Sequence, residues 1–300
     1  MAADLRQTPA WFLWLAVLGA LHVVAFSSRL LVHLAHCLRR PKDLRRSYGA
    51  WAVVTGPTSG IGRSVALELA RRGLNLVLVG LDAADLQEVS DTIKSRHPVE
   101  TRAVVFDLSL ATRRCGGSGT SWRGWTEVTA AVIPGMATRG RGAVVSMGSA
   151  TSEAVASFPL HAVYSGTKRY VAWLSRGLAA EYGGGGVDVQ CQAPMFVATA
   201  MIDGFSAVWR PAPLVPTADA YARAAVRWVG RGGPLCVPSL RHRLLWRLLA
   251  AVPGCVQDWA CLREGLRQRK TSRSRGSSTA SACHASNRVG NCLTSECTVD

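Results

Sequence analysis

The octet Thr55-Gly-Pro-Thr-Ser-Gly60-Ile-Gly62 constrains this chain more than any other stretch, because of what flanks it. A short β-branched run, 51–55, leads into it and a helical stretch, 61–72, leaves it. A glycine-rich turn joining a strand to a helix belongs to a βαβ unit, which commits the chain to a parallel sheet with helices packed on its faces. Gly56 permits the tight turn, Gly60 admits the close approach of a pyrophosphate, and Gly62 lets helix and strand touch. The phosphates are then expected at the helix N-terminus. Thr55, Thr58, Ser59, Ile61 and Arg63 complete the expected cradle.

The texture that follows repeats this theme. Further strands are predicted over 76–79, 103–106, 143–146 and 187–191, and helices over 83–95, 127–138, 161–182 and 217–229. The fold class is therefore α/β, a Rossmann-type doubly wound parallel sheet. Residues 1–47 read as a membrane anchor with a basic flank, 48–240 as the dinucleotide-binding domain and 241–267 as an amphipathic C-terminal helix region. Residues 268–300 read as a disordered tail, rich in Ser, Thr and Arg and without periodicity. The stretch 241–250, RHRLLWRLLA, suits either a membrane surface or a helix packed on the domain.

The anchor reading comes from 11–26, apolar except for His22, with apolar character resuming after Arg29. Sixteen helical residues reach about 24 Å, short of the roughly 30 Å hydrocarbon layer, so spanning requires the second part as well. Arg39, Arg40, Lys42, Arg45 and Arg46 follow it, which places the main body on the cytosolic face. The net charge of +16 gathers near both ends and around an apolar amphipathic segment rather than on a basic, aromatic face. That favours anionic headgroups or an acidic small substrate over nucleic acid. Nine cysteines without paired metal spacing indicate reduced thiols, with neither a disulfide framework nor a zinc site.

Chemistry concentrates in Tyr164-Ser-Gly-Thr-Lys168. Four residues apart, phenol and ammonium share a helix face, and the ammonium favours the phenolate, so Tyr164 is expected to exchange a proton with a substrate oxygen. Lys168 is also placed to hold a nicotinamide ribose. Ser149, in the loop after the strand at 143–146, is the expected donor to a substrate carbonyl, with Ser146 and Ser152 as competitors. Asp107 is placed either to meet an adenine amino group or to cap a helix. Val197 and Thr199, after Pro194, are expected to close over the nicotinamide. At the end of the second strand Leu81 offers nothing to a ribose and Asp82 lies far along, whereas Arg63 suits a 2′-phosphate. NADPH is the expected cofactor.

In this order the motifs resemble the short-chain dehydrogenase/reductase family. WAVVTGPTSGIG, GLNLVLVG, VIPGM, HAVYSGTK and VDVQCQAP resemble, more narrowly, its plant very-long-chain 3-oxoacyl-CoA reductases. The resemblance implies NADPH-dependent reduction of 3-oxoacyl-CoA in fatty-acid elongation. It also implies an endoplasmic reticulum anchor, a fatty acyl-CoA substrate and contact with other elongation subunits. A hydroxysteroid dehydrogenase is the enzymatic alternative, since the same groups serve any ketone. Against the family pattern, 108–126 reads LSLATRRCGGSGTSWRGWT, without the family's N-N-A-G strand or the helix bearing its catalytic asparagine. The only asparagines are Asn75, Asn287 and Asn291. Leu81 also replaces a family arginine. A sheet lacking one central strand is expected, whose halves must re-pair or leave edge groups unsatisfied. A catalytically impaired membrane-anchored relative is the corresponding functional alternative.

Overall fold

The computed structural model describes residues 9–38, 40–107, 122–155, 157–202 and 212–286. The chain divides into two compact units, Met1–Lys42 and Asp43–Asp300. The first contains α1 (Ala10–Leu38), a single helix of 29 residues. No break falls at Ser27-Ser28, where the Ser28 hydroxyl bonds back to the Ala25 carbonyl at 3.1 Å. The apolar stretch Ala10–Ser28 is 19 residues long with none of it buried, so this one helix is long and apolar enough to cross a membrane.

In the second unit, α2 (Leu44–Tyr48) is capped by Asp43, which accepts from the Arg46 amide. Then come β1 (Trp51–Thr55), α3 (Gly60–Arg71), β2 (Asn75–Gly80), α4 (Ala83–Arg96) and β3 (Thr101–Val105). All three strands are parallel, in the order β1-β2-β3. Right-handed crossovers place both helices on one face. There Val54, Leu76 and Leu78 meet Ala66 and Ala70 of α3 and Leu86, Val89 and Ile93 of α4 in the principal core.

A second sheet follows from α5 (Trp122–Thr138), β4 (Gly142–Met147), α6 (Thr151–Ala154), α7 (Ala162–Tyr182), β5 (Val187–Gln192), α8 (Ala218–Arg227) and β6 (Leu235–Cys236). It is again parallel, in the order β4-β5-β6. Helices α9 (Leu240–Ala250) and α10 (Gly254–Ser286) close the described chain. The tail expectation is altered here, because α10 continues as a helix through Ser286.

Among the described residues the two half-sheets have not re-paired. β1 hydrogen-bonds only to β2, and β4 only to β5. Helix packing joins them instead. α3 lies along α8, where the Ser64 hydroxyl donates to Asp219 at 2.6 Å. Leu44, Leu74 and Val226 form a shared apolar cluster, and the Tyr48 hydroxyl of α2 donates to Asp188 of β5. The outward residues of β1 are left in solvent, Trp51 at 40% and Val53 at 50% exposed, with the Arg102 guanidinium over the Trp51 ring.

Candidate active site

The glycine turn is built as its residue types require. The Gly56 amide donates to the Val79 carbonyl at 2.9 Å, which seats the turn on the end of β2. Gly56 and Gly60 adopt φ of +61° and +52°, a region costly for side chains bearing a Cβ. A Cβ at Gly62 would run into the Gly56 carbonyl oxygen. The result is a turn open on the Gly56 side at the start of the twelve-residue helix α3, whose first amides have no intrahelical acceptor. Thr55 and Ser59 are exposed at its mouth and Thr58 is half-buried. The Ser59 hydroxyl does not cap α3. A glycine turn packed this closely at the head of a helix fits the pyrophosphate of a dinucleotide.

The rim bears on cofactor choice. Asp82 is occupied as the cap of α4, accepting from the Ala84 and Asp85 amides at 2.8 and 3.1 Å. Leu81 is exposed and apolar. Arg63 pairs with Glu88 at 3.4 Å in an exposed contact. Such a surface pair is worth about 0–1 kcal/mol, so a phosphate can compete for the guanidinium. Asp107 is half-buried just past Phe106, whose amide donates to the Gly80 carbonyl at the carboxyl end of β2.

The second half-sheet delivers the other groups to the same place. At the end of β4 the Gly148 amide donates to the Gln192 carbonyl and the Ala150 amide to the Pro194 carbonyl, both at 2.8 Å. The serine loop is thereby sewn onto the turn after β5. That turn reaches the glycines: a Cβ on Gly60 would touch Thr199 Cγ2 at 3.4 Å. Val197 is buried with Tyr221 and Ala225 in a cluster that also holds Ile61 of the glycine turn and Met147 of β4. The Lys168 ammonium donates to the Met147 carbonyl at 2.9 Å. Tyr164, one turn earlier on α7, presents its ring 5.9 Å from that ammonium and is partly exposed. Burial lowers the Lys168 pKa below the ordinary lysine range, partly offset by the neighbouring Cys191.

The three serines separate. All three are buried, and Ser146 shares a hydrogen bond with Ser175 at 2.9 Å. Ser152 donates to the Ser149 carbonyl at 2.7 Å. Ser149 lies in the loop itself, its hydroxyl 2.6 Å from that of Thr151.

Sequence reasoning passed over His242. Fully buried on α9, its Nδ1 accepts from the Met195 amide at 3.3 Å and its Nε2–H donates to the Phe196 carbonyl at 3.0 Å. Burial pushes its pKa down to about 4, against a smaller opposing effect of the Phe196 hydrogen bond. One neutral imidazole thus clamps the turn that carries Val197 and Thr199. Its only trace in the sequence is a lone histidine on the helix side opposite Leu240, Leu244 and Leu248.

Comparison with known proteins agrees with this geometry. The profile of the short chain dehydrogenase family matches residues 50–115 and 119–207. This chain belongs to that family. It is 35% identical over 315 residues to a very-long-chain 3-oxoacyl-CoA reductase-like protein of Arabidopsis thaliana, covering 90% of this chain and 99% of the relative. Ninety per cent of 300 residues leaves about 45 positions of that 315-residue span without a counterpart here. The break in the profile match, between 115 and 119, falls inside the atypical stretch. It is also 33% identical over 243 residues to the inactive hydroxysteroid dehydrogenase-like protein 1 of Pongo abelii, covering 68% of this chain and 73% of that one. Among solved structures, a short-chain dehydrogenase from Sphingobium yanoikuyae in complex with NADPH superposes with a TM-score of 0.53 at 26% identity. That match covers 66% of this chain and 91% of the other.

Proposed function

We propose that this chain is an NADPH-dependent reductase of long-chain 3-oxoacyl-CoA, held to the endoplasmic reticulum membrane by α1 with its second unit facing the cytosol. The observation that carries the reading is the Lys168 bond to the Met147 carbonyl, in a cluster shared with Ile61 of the glycine turn. It ties α7 to the end of β4, whose Met147 packs in one cluster with Ile61 of the glycine turn. The names of the relatives support the acyl-CoA substrate, and the captured Asp82 with the weakly engaged Arg63 supports NADPH over NADH.

When bound, NADPH supplies the hydride. Tyr164 gives its phenolic proton to the substrate's C3 oxygen as that oxygen becomes a hydroxyl, and Ser149 donates a hydrogen bond to it. Lys168, held by the Met147 carbonyl one turn along α7 from Tyr164, would hold the ribose. Thr58, Ser59, Ile61 and Gly62 would receive the phosphates, Asp107 the adenine, and Val197 and Thr199 the carboxamide side. The test is purified protein in detergent with NADPH and a long-chain 3-oxoacyl-CoA, beside Tyr164→Phe. The expected outcome is NADPH oxidation that depends on Tyr164. Equal background in both proteins overturns the reading.

One observation favours a second reading. Among the described residues no strand joins β1 to β4, and the sequence lacks the family's asparagine segment, which fits a relative that keeps the NADPH site and has lost turnover. NADPH binding by titration, together with background oxidation, would select it.

A further inference from the structure

The last two described helices carry apolar surface that their own packing does not use. On α9, Leu245, Trp246 and Leu249 pack against Ala150, Ala193, Met195 and Val237, and His242 is buried on the same side. The opposite side presents Leu240, Leu244 and Leu248, spaced at i, i+4 and i+8, all exposed and Leu248 to 64%. α10 repeats the arrangement. Gln257, Cys261 and Glu264 face inward, while Trp259, Leu262 and Leu266 face solvent, Trp259 at 61%. Gln257 donates to the Leu249 and Val252 carbonyls at 2.7 and 2.8 Å, fixing the start of α10 to the end of α9.

Charge indicates what covers these stripes. Between 240 and 271 the sequence holds seven cations, at 241, 243, 247, 263, 267, 269 and 270, against Asp258 and Glu264. Both carboxylates are committed, Glu264 to Arg267 at 2.7 Å and Asp258 to the Ser157 hydroxyl. Arg263 lies over the exposed Trp259 ring at 5.3 Å. Apolar stripes edged by arginine, with an indole among them, match the boundary between headgroups and acyl chains. There long basic side chains reach phosphates while leucines enter the apolar layer. A second copy fits poorly, since it would bring cationic borders together.

We propose that the outward faces of α9 and α10 dock on an anionic bilayer surface, a second membrane contact besides the proposed anchor α1. The inference rests on the membrane reading of α1 only for proximity, because a tethered chain meets the bilayer at high effective concentration.

The test uses the full chain in phosphatidylcholine vesicles with or without phosphatidylserine. A photoreactive p-benzoylphenylalanine replaces Leu248, Leu266, Val17 of α1 or Glu88 of α4 in turn, and lipid adducts are counted. Docking predicts a several-fold rise in adducts at 248 and 266 when phosphatidylserine is present, reversed by high salt, with none at 88. Adducts at 17 are expected in both vesicle types. Arg241→Glu combined with Arg263→Glu should abolish the phosphatidylserine dependence. Labelling at 17 without lipid adducts at 248 and 266 overturns docking and leaves the anchor standing. Labelling at 248 and 266 but not at 17 supports docking and removes the anchor. Adducts to protein instead of lipid at 248 and 266 overturn docking in favour of a protein partner.

Discussion

The two half-sheets have nearly the same make-up, three parallel strands each, yet they are clothed differently. In the second, residues of β4 and β5 are buried or half-buried on both faces, with α5 and α7 packed against them. In the first, α3 and α4 cover one face, and the other leaves Trp51, Val53 and Val104 in solvent. Parallel strands are ordinarily buried on both sides, so this face is one that no described element covers. Among the described residues the difference therefore falls on the nucleotide half's outer face and on the seam. The glycine turn survives because its geometry is local, fixed by α3 and by the Gly56 bond to β2.

The most severe way to break this contrast is to restore what is lacking. Replacing 108–121 with the corresponding strand and helix of the Arabidopsis relative should insert a strand that pairs with β1 on one side and β4 on the other, and cover Trp51 and Val53. The expected gain is on the order of 5 kcal/mol, or about 10 °C in Tm, read by calorimetry. An unchanged Tm would mean that the bare face is not a deficit. Next, Tyr164→Phe should lower kcat by about 10²- to 10⁴-fold while leaving the NADPH Kd unchanged, which confines its effect to the second half. A parallel loss of NADPH affinity would contradict that division.

His242 sharpens the comparison through pH. Its folded pKa of about 4 lies below the unfolded value of 6.5. Between these values the unfolded chain binds the extra proton, so stability should fall as pH drops across that window, by about 3 kcal/mol in all. Urea melts at several pH values should show this slope, and His242→Gln should flatten it. Smallest is Arg63→Ala. It should weaken NADPH about tenfold by fluorescence titration and leave NADH unaffected, because only the 2′-phosphate loses a partner. Equal weakening of both cofactors would assign Arg63 to the pyrophosphate instead.

Much of the site was legible because it is written in short-range chemistry. The glycine octet needs only its flanking strand and helix, and Tyr164 and Lys168 need only helical periodicity to share a face. The strand at 143–146 was found within a residue at each end, since β-branched runs bounded by glycine are strong local signals. Long-range placement was harder to read. That Lys168 bonds a backbone carbonyl 21 residues earlier, at the end of β4, depends on how α7 packs on that strand, and that Gly60 meets Thr199 depends on how the chain returns after some 140 residues. Ser146 and Ser149 were indistinguishable as types, both are buried, and only the hydrogen bond to Ser175 sets the first apart. His242 hid inside an arginine and leucine pattern that reads as amphipathic, although its own position faces the core. The end of α10 was missed because Ser, Thr and Arg carry no apolar period to reveal a helix.

The open side of β1 also bears on the life of the protein in a cell. Among the described residues no strand pairs with the outer side of β1, and such an edge beside the exposed Trp51 and Val53 is a template for intermolecular strand addition and a surface that folding helpers bind. We expect pulse-chase labelling to give this chain a markedly shorter half-life than the Arabidopsis relative under the same promoter, and the repaired 108–121 chimera to recover it. Abundance, rather than chemistry alone, would then set how much of this protein a membrane holds.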